Sequence, residues 1–130
     1  MTTVKVKKVK IELDAPVVIW ISKNADKELI EHENAHVEIC RRFYKKAKKY
    51  AERAGAKVIG GSFQGAGKSS EESIKNALSI ANRDVCNYFH LVLTEKVDRV
   101  SEIFDSLDHD SKVPSKQLIE KAFKQFKKEL

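Results

Sequence analysis

Two histidines and a glutamate in the first third of the chain have the residue types and spacing of a metal site. They form the pattern His-Glu-x-x-His, in which the defined residues are His32, Glu33 and His36. On a helix of 3.6 residues per turn, His32 and His36 lie one turn apart on the same face, where two imidazoles can bind one metal ion. Glu33 lies about 100° further round the axis, within reach of a water bound to that metal. The arrangement is typical of zinc hydrolases, in which this glutamate is the general base.

The residues around the motif predict the helix that it requires. Apolar residues and the two histidines recur at the spacing of one helical face: Leu29, His32, His36, Ile39, Cys40, Phe43 and Ala47. We therefore expect one long helix from about Asp26 to Ala54, with Asn24 or Asp26 as its N-cap and Gly55 ending it. The competing interpretation is a pair of buried, hydrogen-bonded histidines beside a solvated Glu33, and it would need two separate polar partners.

A catalytic zinc ion needs a third protein ligand, which the motif itself does not supply. Metzincins take it from the extension His-Glu-x-x-His-x-x-Gly-x-x-His, but Ile39 and Arg42 stand at its last two defined positions, so that class is excluded. Glu52 lies on the same predicted helix, roughly four turns beyond His36, and a rigid helix cannot bring the two together. The glutamates that remain as candidates are Glu71, Glu95 and Glu102.

An acidic segment near the C-terminus offers another source of ligands and carries a resemblance. Taken with His32–Ile39, the residues from Phe104-Asp105 onward resemble a family of short bacterial zinc-dependent proteases, predicted and mostly secreted. Its members have a His-Glu-x-x-His helix and end in a Tyr-Asp-x-x-Thr-x-His-Gly-like element. Here Asp108 stands in place of the threonine, and Asp110 in place of the histidine. The resemblance implies that His109, one residue early, is the third ligand, and that Asp105 orients a ligand imidazole or is an alternative ligand.

Composition and charge limit the other functions that we consider. The chain has 130 residues, 42% of them hydrophobic, which predicts a single domain over residues 1–130. The formal net charge is +6, concentrated in Arg41–Lys57 and in the tail. Such a surface can bind nucleic acid or another anionic partner, and a solvated helix face explains it as well. We expect no transmembrane segment and no signal peptide, so the protein is cytoplasmic, or secreted or periplasmic if a leader has been removed.

The remaining patterns predict an α+β fold of few elements. Alternating apolar residues in Val4–Leu13 and a β-branched run in Val17–Ile21 predict two antiparallel strands. A flexible, glycine-rich connection at residues 58–68 precedes a second helix, about Ser70–Ser106, and Pro114 begins a last helix. We therefore expect a small antiparallel β-sheet packed on two long helices plus a short C-terminal helix, a minimal zincin-like domain. Whether the two cysteines pair or remain buried thiols stays open; they are Cys40 and Cys86.

These observations together predict a zinc-dependent peptidase with Glu33 as general base and three Zn²⁺ ligands, namely His32, His36 and His109. Its partner is a peptide or protein substrate, which the strand Val17–Ile21 could bind along its edge. Two other functions stay open. One is a basic helical module that binds nucleic acid or an anionic partner through Arg41–Lys57, and the other is a degenerate zincin whose metal is structural.

Overall fold

The computed structural model describes residues 1–14 and 17–130, and its regular structure is mostly helical with one two-stranded antiparallel sheet. This confirms the predicted α+β class. The elements in chain order are β1 (Thr2–Lys5), α1 (Lys27–Tyr44), α2 (Ala47–Val58), β2 (Ser62–Gly65), α3 (Ser70–Phe89), a π-helical segment (His90–Thr94), α4 (Glu95–Asp108) and α5 (Ser115–Glu129). Two compact units can be distinguished: unit 1 comprises Met1–Leu13 and Ala47–Leu93, and unit 2 comprises Asp14–Lys46 and Thr94–Leu130.

Unit 1 contains the sheet, α2 and α3. The strands pair antiparallel, with Thr2 opposite Gly65 and Lys5 opposite Ser62. Gly65 packs directly on α3, where a Cβ atom would overlap the backbone of Ser73 and Ala77, so only glycine permits this contact. The core is a cluster of buried small and branched side chains from the N-terminal segment, α2 and α3, namely Val6, Ala54, Val58, Ala81 and Val85.

Unit 2 contains α1, α4 and α5, together with His32, His36, Asp105 and His109. Asp26 caps α1 as predicted, because its Oδ1 accepts a hydrogen bond of 2.8 Å from the Leu29 backbone N–H. Pro114 precedes α5 directly, which also agrees with the sequence. Buried side chains from all three helices form one core, including Ile39, Phe43, Val100, Phe104, Leu118 and Ile119. Packing in this core holds α1 against α4.

The predicted pairing of the first strand with Val17–Ile21 is wrong. β1 is short, residues 6–13 form no strand, and Val17–Ile21 forms none either. β1 pairs instead with Ser62–Gly65, inside the stretch predicted to be a flexible connection. Gly60 adopts a φ of +82°, which glycine tolerates best, and its N–H donates to the Val6 carbonyl at 2.8 Å. The glycines therefore serve a tight turn and close packing on α3.

Both long predicted helices are divided. The first ends at Tyr44 and a second begins at Ala47, and Gly55 lies inside α2 instead of ending a helix. The other is interrupted by the π-helical segment His90–Thr94. At each interruption the helical residues before and after it belong to different units and bury their apolar sides there. Periodicity along one chain does not reveal such a change of core.

Two smaller expectations also concern the fold. Cys40 is half-buried and Cys86 is exposed, and both are free thiols. Among the described residues, no helix combines the length and the apolar character needed to cross a membrane, in agreement with the expected lack of a transmembrane segment.

Candidate metal centre

Helix α1 presents both histidines of the motif toward α4. Their ring centroids are 4.9 Å apart, as expected for residues one turn apart on a helix. The Nε2 atoms of His32 and His36 are separated by 3.3 Å. Both side chains are partly buried, with 27% of His32 and 22% of His36 exposed. The two imidazoles therefore direct one nitrogen each to a common point.

Helix α4 brings two aspartates to this pair. Asp105 Oδ1 lies 3.1 Å from His32 Nε2 and 2.7 Å from His36 Nε2. Asp108 follows three residues later on the same side of α4, and its Oδ2 lies 2.6 Å from His32 Nδ1. The two carboxylates thus have different positions: Asp105 faces both Nε2 atoms, whereas Asp108 contacts the opposite side of the His32 ring.

Phe104 forms the apolar base of this cluster. It is fully buried, and its ring centroid lies 5.3 Å from that of His32 and 5.4 Å from that of His36. Close packing of three rings leaves the imidazoles few alternative rotamers. The residue that precedes Asp105 in the sequence therefore helps to fix the orientation of both histidines.

The spacing of the three inward atoms suits a bound cation. His32 Nε2, His36 Nε2 and Asp105 Oδ1 lie 2.7 to 3.3 Å from one another. A tetrahedral zinc ion with bonds of about 2.0–2.1 Å separates its ligand atoms by roughly 3.3 Å. Within residues 1–14 and 17–130, this is the only group of three or more such side chains close enough to hold a metal ion. The Asp105 side chain is 52% exposed, so the group is open to solvent on one side.

The contact with Asp108 determines which nitrogen of His32 is free. An ionised carboxylate only accepts hydrogen bonds, so Nδ1 carries the proton that bonds to Asp108. In the neutral ring, Nε2 then has a lone pair that faces His36 and Asp105 and cannot donate to either. A cation placed between the three atoms would satisfy all of them at once.

Glu33 differs from the aspartates because it has no partner. It lies on the adjacent side of α1, half-buried, and forms no hydrogen bond or ion pair with any of the residues that the structure describes. By contrast, Asp105 and Asp108 are both engaged with histidine. The Glu33 carboxylate is therefore available for proton transfer.

His109, the third ligand implied by the resemblance, is not brought to the histidine pair. Helix α4 continues through Asp108, and His109 follows as the residue at its C-terminal cap, with 83% of its side chain exposed. Its Nε2 lies 3.3 Å from Asp110 Oδ2. The side chain that lies with the histidine pair is Asp105, about one helical turn earlier. The glutamate candidates are outside the group as well, namely Glu71, Glu95 and Glu102.

Asp108 is the site residue to which sequence reasoning gave no role. A signal for it exists in the sequence, because Asp108 is three residues beyond Asp105, and residues three apart on a helix share a face. The predicted second helix ended at Ser106, however, which placed Asp108 in a loop. A helix extended by two residues would have put both aspartates on the side that faces α1.

The basic stretch Arg41–Lys57 is partly engaged within the protein. Arg42 forms ion pairs with Glu120 at 2.5 Å and with Glu38 at 3.3 Å. The hydrogen bond from Arg42 lowers the pKa of the Glu120 carboxyl, and the same bond raises the pKa of the Arg42 guanidinium. The stretch is also divided between α1 and α2, so it is not one continuous helical face. Nucleic-acid binding through it stays a prediction.

Comparisons of this chain with protein-family models, with curated proteins and with solved structures found no match. The resemblance to short bacterial zinc-dependent proteases therefore stays a prediction. A function has to be inferred from the side chains of unit 2 and their chemistry.

Proposed function

We propose that this protein is a metal-dependent hydrolase of peptide bonds, with Glu33 as general base and Zn²⁺ held by His32, His36 and Asp105. The observation that carries this proposal is the convergence of two Nε2 atoms and one carboxylate oxygen within 3.3 Å of one another. A ligand histidine whose other nitrogen is held by a carboxylate, as Asp108 holds His32, is the usual second feature of such sites.

The donor set fits zinc. Two neutral imidazoles and a carboxylate are the protein ligands of one class of zinc hydrolases. The same set binds Fe²⁺ in non-haem oxygenases, so the donors alone do not decide the metal. Glu33 favours hydrolysis, because a carboxylate directly after the first ligand histidine is the base of His-Glu-x-x-His enzymes. Zinc in this place would polarise the substrate carbonyl and promote ionisation of the attacking water.

The side chains of the protein perform the proton transfers and the positioning. Glu33 accepts a proton from the attacking water and later donates it to the leaving amine. Its carboxylate is free for both steps, since no described residue binds it. Asp108 keeps the Nε2 atom of His32 directed at the ligand position, and Phe104 restricts rotation of both rings.

Metal content and hydrolysis test the proposal together. Purified protein should retain about one zinc ion per chain after dialysis, measured by elemental analysis, and should cleave an unstructured casein substrate. Glu33→Ala should keep the zinc and lose at least about 10²-fold of the hydrolysis rate, because general-base catalysis contributes that much. Glu31→Ala removes an exposed carboxylate from the same helix and should change neither quantity. Wild-type protein that takes up no zinc, or hydrolysis that survives Glu33→Ala, would contradict the proposal.

A structural metal is the second candidate, and it is favoured because the proposed ligands come from two different helices. His36 and Asp105 are 69 residues apart in the sequence and belong to different helices, so a shared cation would cross-link α1 to α4. In that case zinc would bind and stabilise the fold, and no peptide would be cleaved at any metal load. The zinc content is the same for both candidates, and the hydrolysis assay separates them.

A further inference from the structure

The segment Val17–Ile21 has the composition of a strand. Its residues are all β-branched or aromatic. From Val18 onward their exposure alternates: Val18 and Trp20 are 66% and 93% exposed, whereas Ile19 and Ile21 are half-buried. A period of two is that of an extended chain with one side packed on the protein and the other facing solvent.

The backbone of this segment carries unpaired hydrogen-bonding groups. None of its N–H or C=O groups bonds to another backbone group in the part of the chain that the structure describes. The segment belongs to neither strand of the sheet, so its main-chain groups can hydrogen-bond to another extended chain that lies beside it. Natural edges are often protected by lysine or proline, but the outward side chains here are Val18 and Trp20.

A patch of unpaired positive charge lies at the N-terminal end of the segment. Val17, Arg41, Tyr44 and Lys45 line an open cavity of about 470 Å³. Arg41 and Lys45 are exposed, and neither side chain has an ion-pair partner among the described residues. Charge complementarity at such a patch favours a partner whose adjacent end is acidic.

We infer that Val17–Ile21 is a docking strand for an extended peptide with an acidic C-terminal end. Antiparallel pairing, the commoner arrangement, places the C-terminus of the partner beside Val17. Its terminal carboxylate and acidic side chains then meet Arg41 and Lys45, while its alternate apolar side chains contact Val18 and Trp20 across the pair. The sequence also predicts this segment as the place where a peptide substrate binds, but docking here needs no bound metal and is tested apart from hydrolysis.

Trp20 provides a direct readout, because it is the only tryptophan in the chain. The probe is a synthetic peptide, Val-Thr-Val-Thr-Val-Asp-Glu with a free C-terminus, titrated into the full chain carrying Glu33→Ala, with its metal content left as purified, so that the probe is not cleaved. Docking should move the Trp20 emission to shorter wavelength, since pairing removes water from an almost fully exposed indole. A peptide of the same length that ends in Lys-Lys-amide should bind about tenfold more weakly, because it loses two ion pairs and meets like charge.

Charge reversal tests the assigned patch. The double variant Arg41→Glu/Lys45→Glu should bind the acidic probe with about tenfold lower affinity and the lysine-ended peptide with higher affinity. Lys121→Glu/Lys124→Glu changes the net charge equally at two exposed positions of α5, and it should leave the affinity within about twofold. The acidic probe carrying N-methyl groups at alternate residues should not bind, because strand addition needs its N–H donors.

Several results would overturn the inference. An N-methylated probe that binds as well as its parent would exclude strand addition, and equal affinity for the two charge types would exclude the acidic partner. If the Trp20 emission does not shift at a millimolar concentration of the acidic probe, docking on this segment is excluded. Concentration-dependent dimers in sedimentation that Val18→Lys abolishes would assign the strand to a second copy of the chain. None of these readouts involves zinc or hydrolysis, so they are independent of the proposed function.

Discussion

At the scale of single residues, Asp108 orients the His32 ring that we propose as a metal ligand. It fixes the proton on Nδ1 through a 2.6 Å contact and so leaves Nε2 with its lone pair toward His36 and Asp105. Without this contact the ring could rotate or adopt the other tautomer, and one of the three donor atoms would be lost. The effect of Asp108 on zinc affinity can be measured without any assay of activity.

Asp108→Ala should lower zinc affinity about 10- to 100-fold, because the ring loses the partner that orients it. Asp108→Asn should recover most of that affinity, since the amide oxygen still accepts a hydrogen bond from Nδ1–H. The measurement is competition with a chromogenic chelator, supported by the visible spectrum of the Co²⁺-substituted protein. Asp110→Ala is the matched control, because its carboxylate is 91% exposed and, among the residues that the structure describes, forms an ion pair with His109 alone. An equal loss in both alanine variants would indicate a general charge effect instead of positioning.

The sequence predicted one half of this site better than the other for a physical reason. The His-Glu-x-x-His motif lies on a single helix, so local periodicity was enough to place His32 and His36 on one face, and α1 confirms that helix. The third proposed ligand comes from α4, and its identity depends on tertiary packing and on where α4 ends. His109 and Asp105 differ by about one helical turn, which the sequence pattern did not resolve.

At the scale of elements, ion pairs connect the helices of unit 2. Arg42 of α1 contacts Glu120 of α5, and Arg99 of α4 contacts Glu129 of α5 through two nitrogens at 2.9 and 2.6 Å. All four side chains are partly solvent-exposed, so each pair adds little to the free energy of unfolding. The buried side chains of the core therefore supply most of the free energy that holds the helices together.

The pair between Arg42 and Glu120 should make a small part of the stability depend on pH. The hydrogen bond from Arg42 lowers the pKa of Glu120 below its ordinary 4.5 in the folded protein. Its stabilisation is therefore present above that value and is lost as the pH falls through the folded pKa. Glu120→Gln should lower the free energy of unfolding by about 0.3–0.5 kcal/mol at pH 7 in low salt, and by nothing measurable at pH 2.

Urea denaturation of the two proteins at both pH values measures the Glu120 effect. Glu52→Gln is the control, since Glu52 is an exposed carboxylate without a partner among the described residues. A Glu120→Gln effect that is equal at pH 2 and pH 7 would show that the substitution acts through something other than the charge of this carboxylate.

Elements that depend on distant partners were predicted least well. The strand Ser62–Gly65 pairs with the first residues of the chain, and its one glycine, Gly65, is required by close packing on α3. The β-branched run Val17–Ile21 has the stronger strand propensity but finds no partner strand in the described residues. Propensity describes which residues fit a strand, and it does not say which strands meet.

At the scale of the whole molecule, the chain crosses between two compact units three times, and all the proposed metal ligands lie in unit 2. A ligand that binds only the folded state stabilises it by an amount that grows with its concentration, about 2.7 kcal/mol at 100 times the dissociation constant. The helices that a bound ion protects depend on whether the two units unfold separately or together. A single domain over residues 1–130, as the sequence predicts, requires that they open together.

Hydrogen exchange with and without zinc can distinguish these cases. If the units open separately, zinc should slow exchange by up to about 10²-fold at the amides of α1 and α4, which supply the ligands, and leave α2 and α3 unchanged. If they open as one domain, the slowest amides of α2 and α3 should slow by the same factor. His36→Ala is the control, because it removes a ligand and should abolish the protection in either case. Protection that zinc confers equally on His36→Ala would place the bound ion elsewhere, and it would remove the basis for a metal centre between α1 and α4.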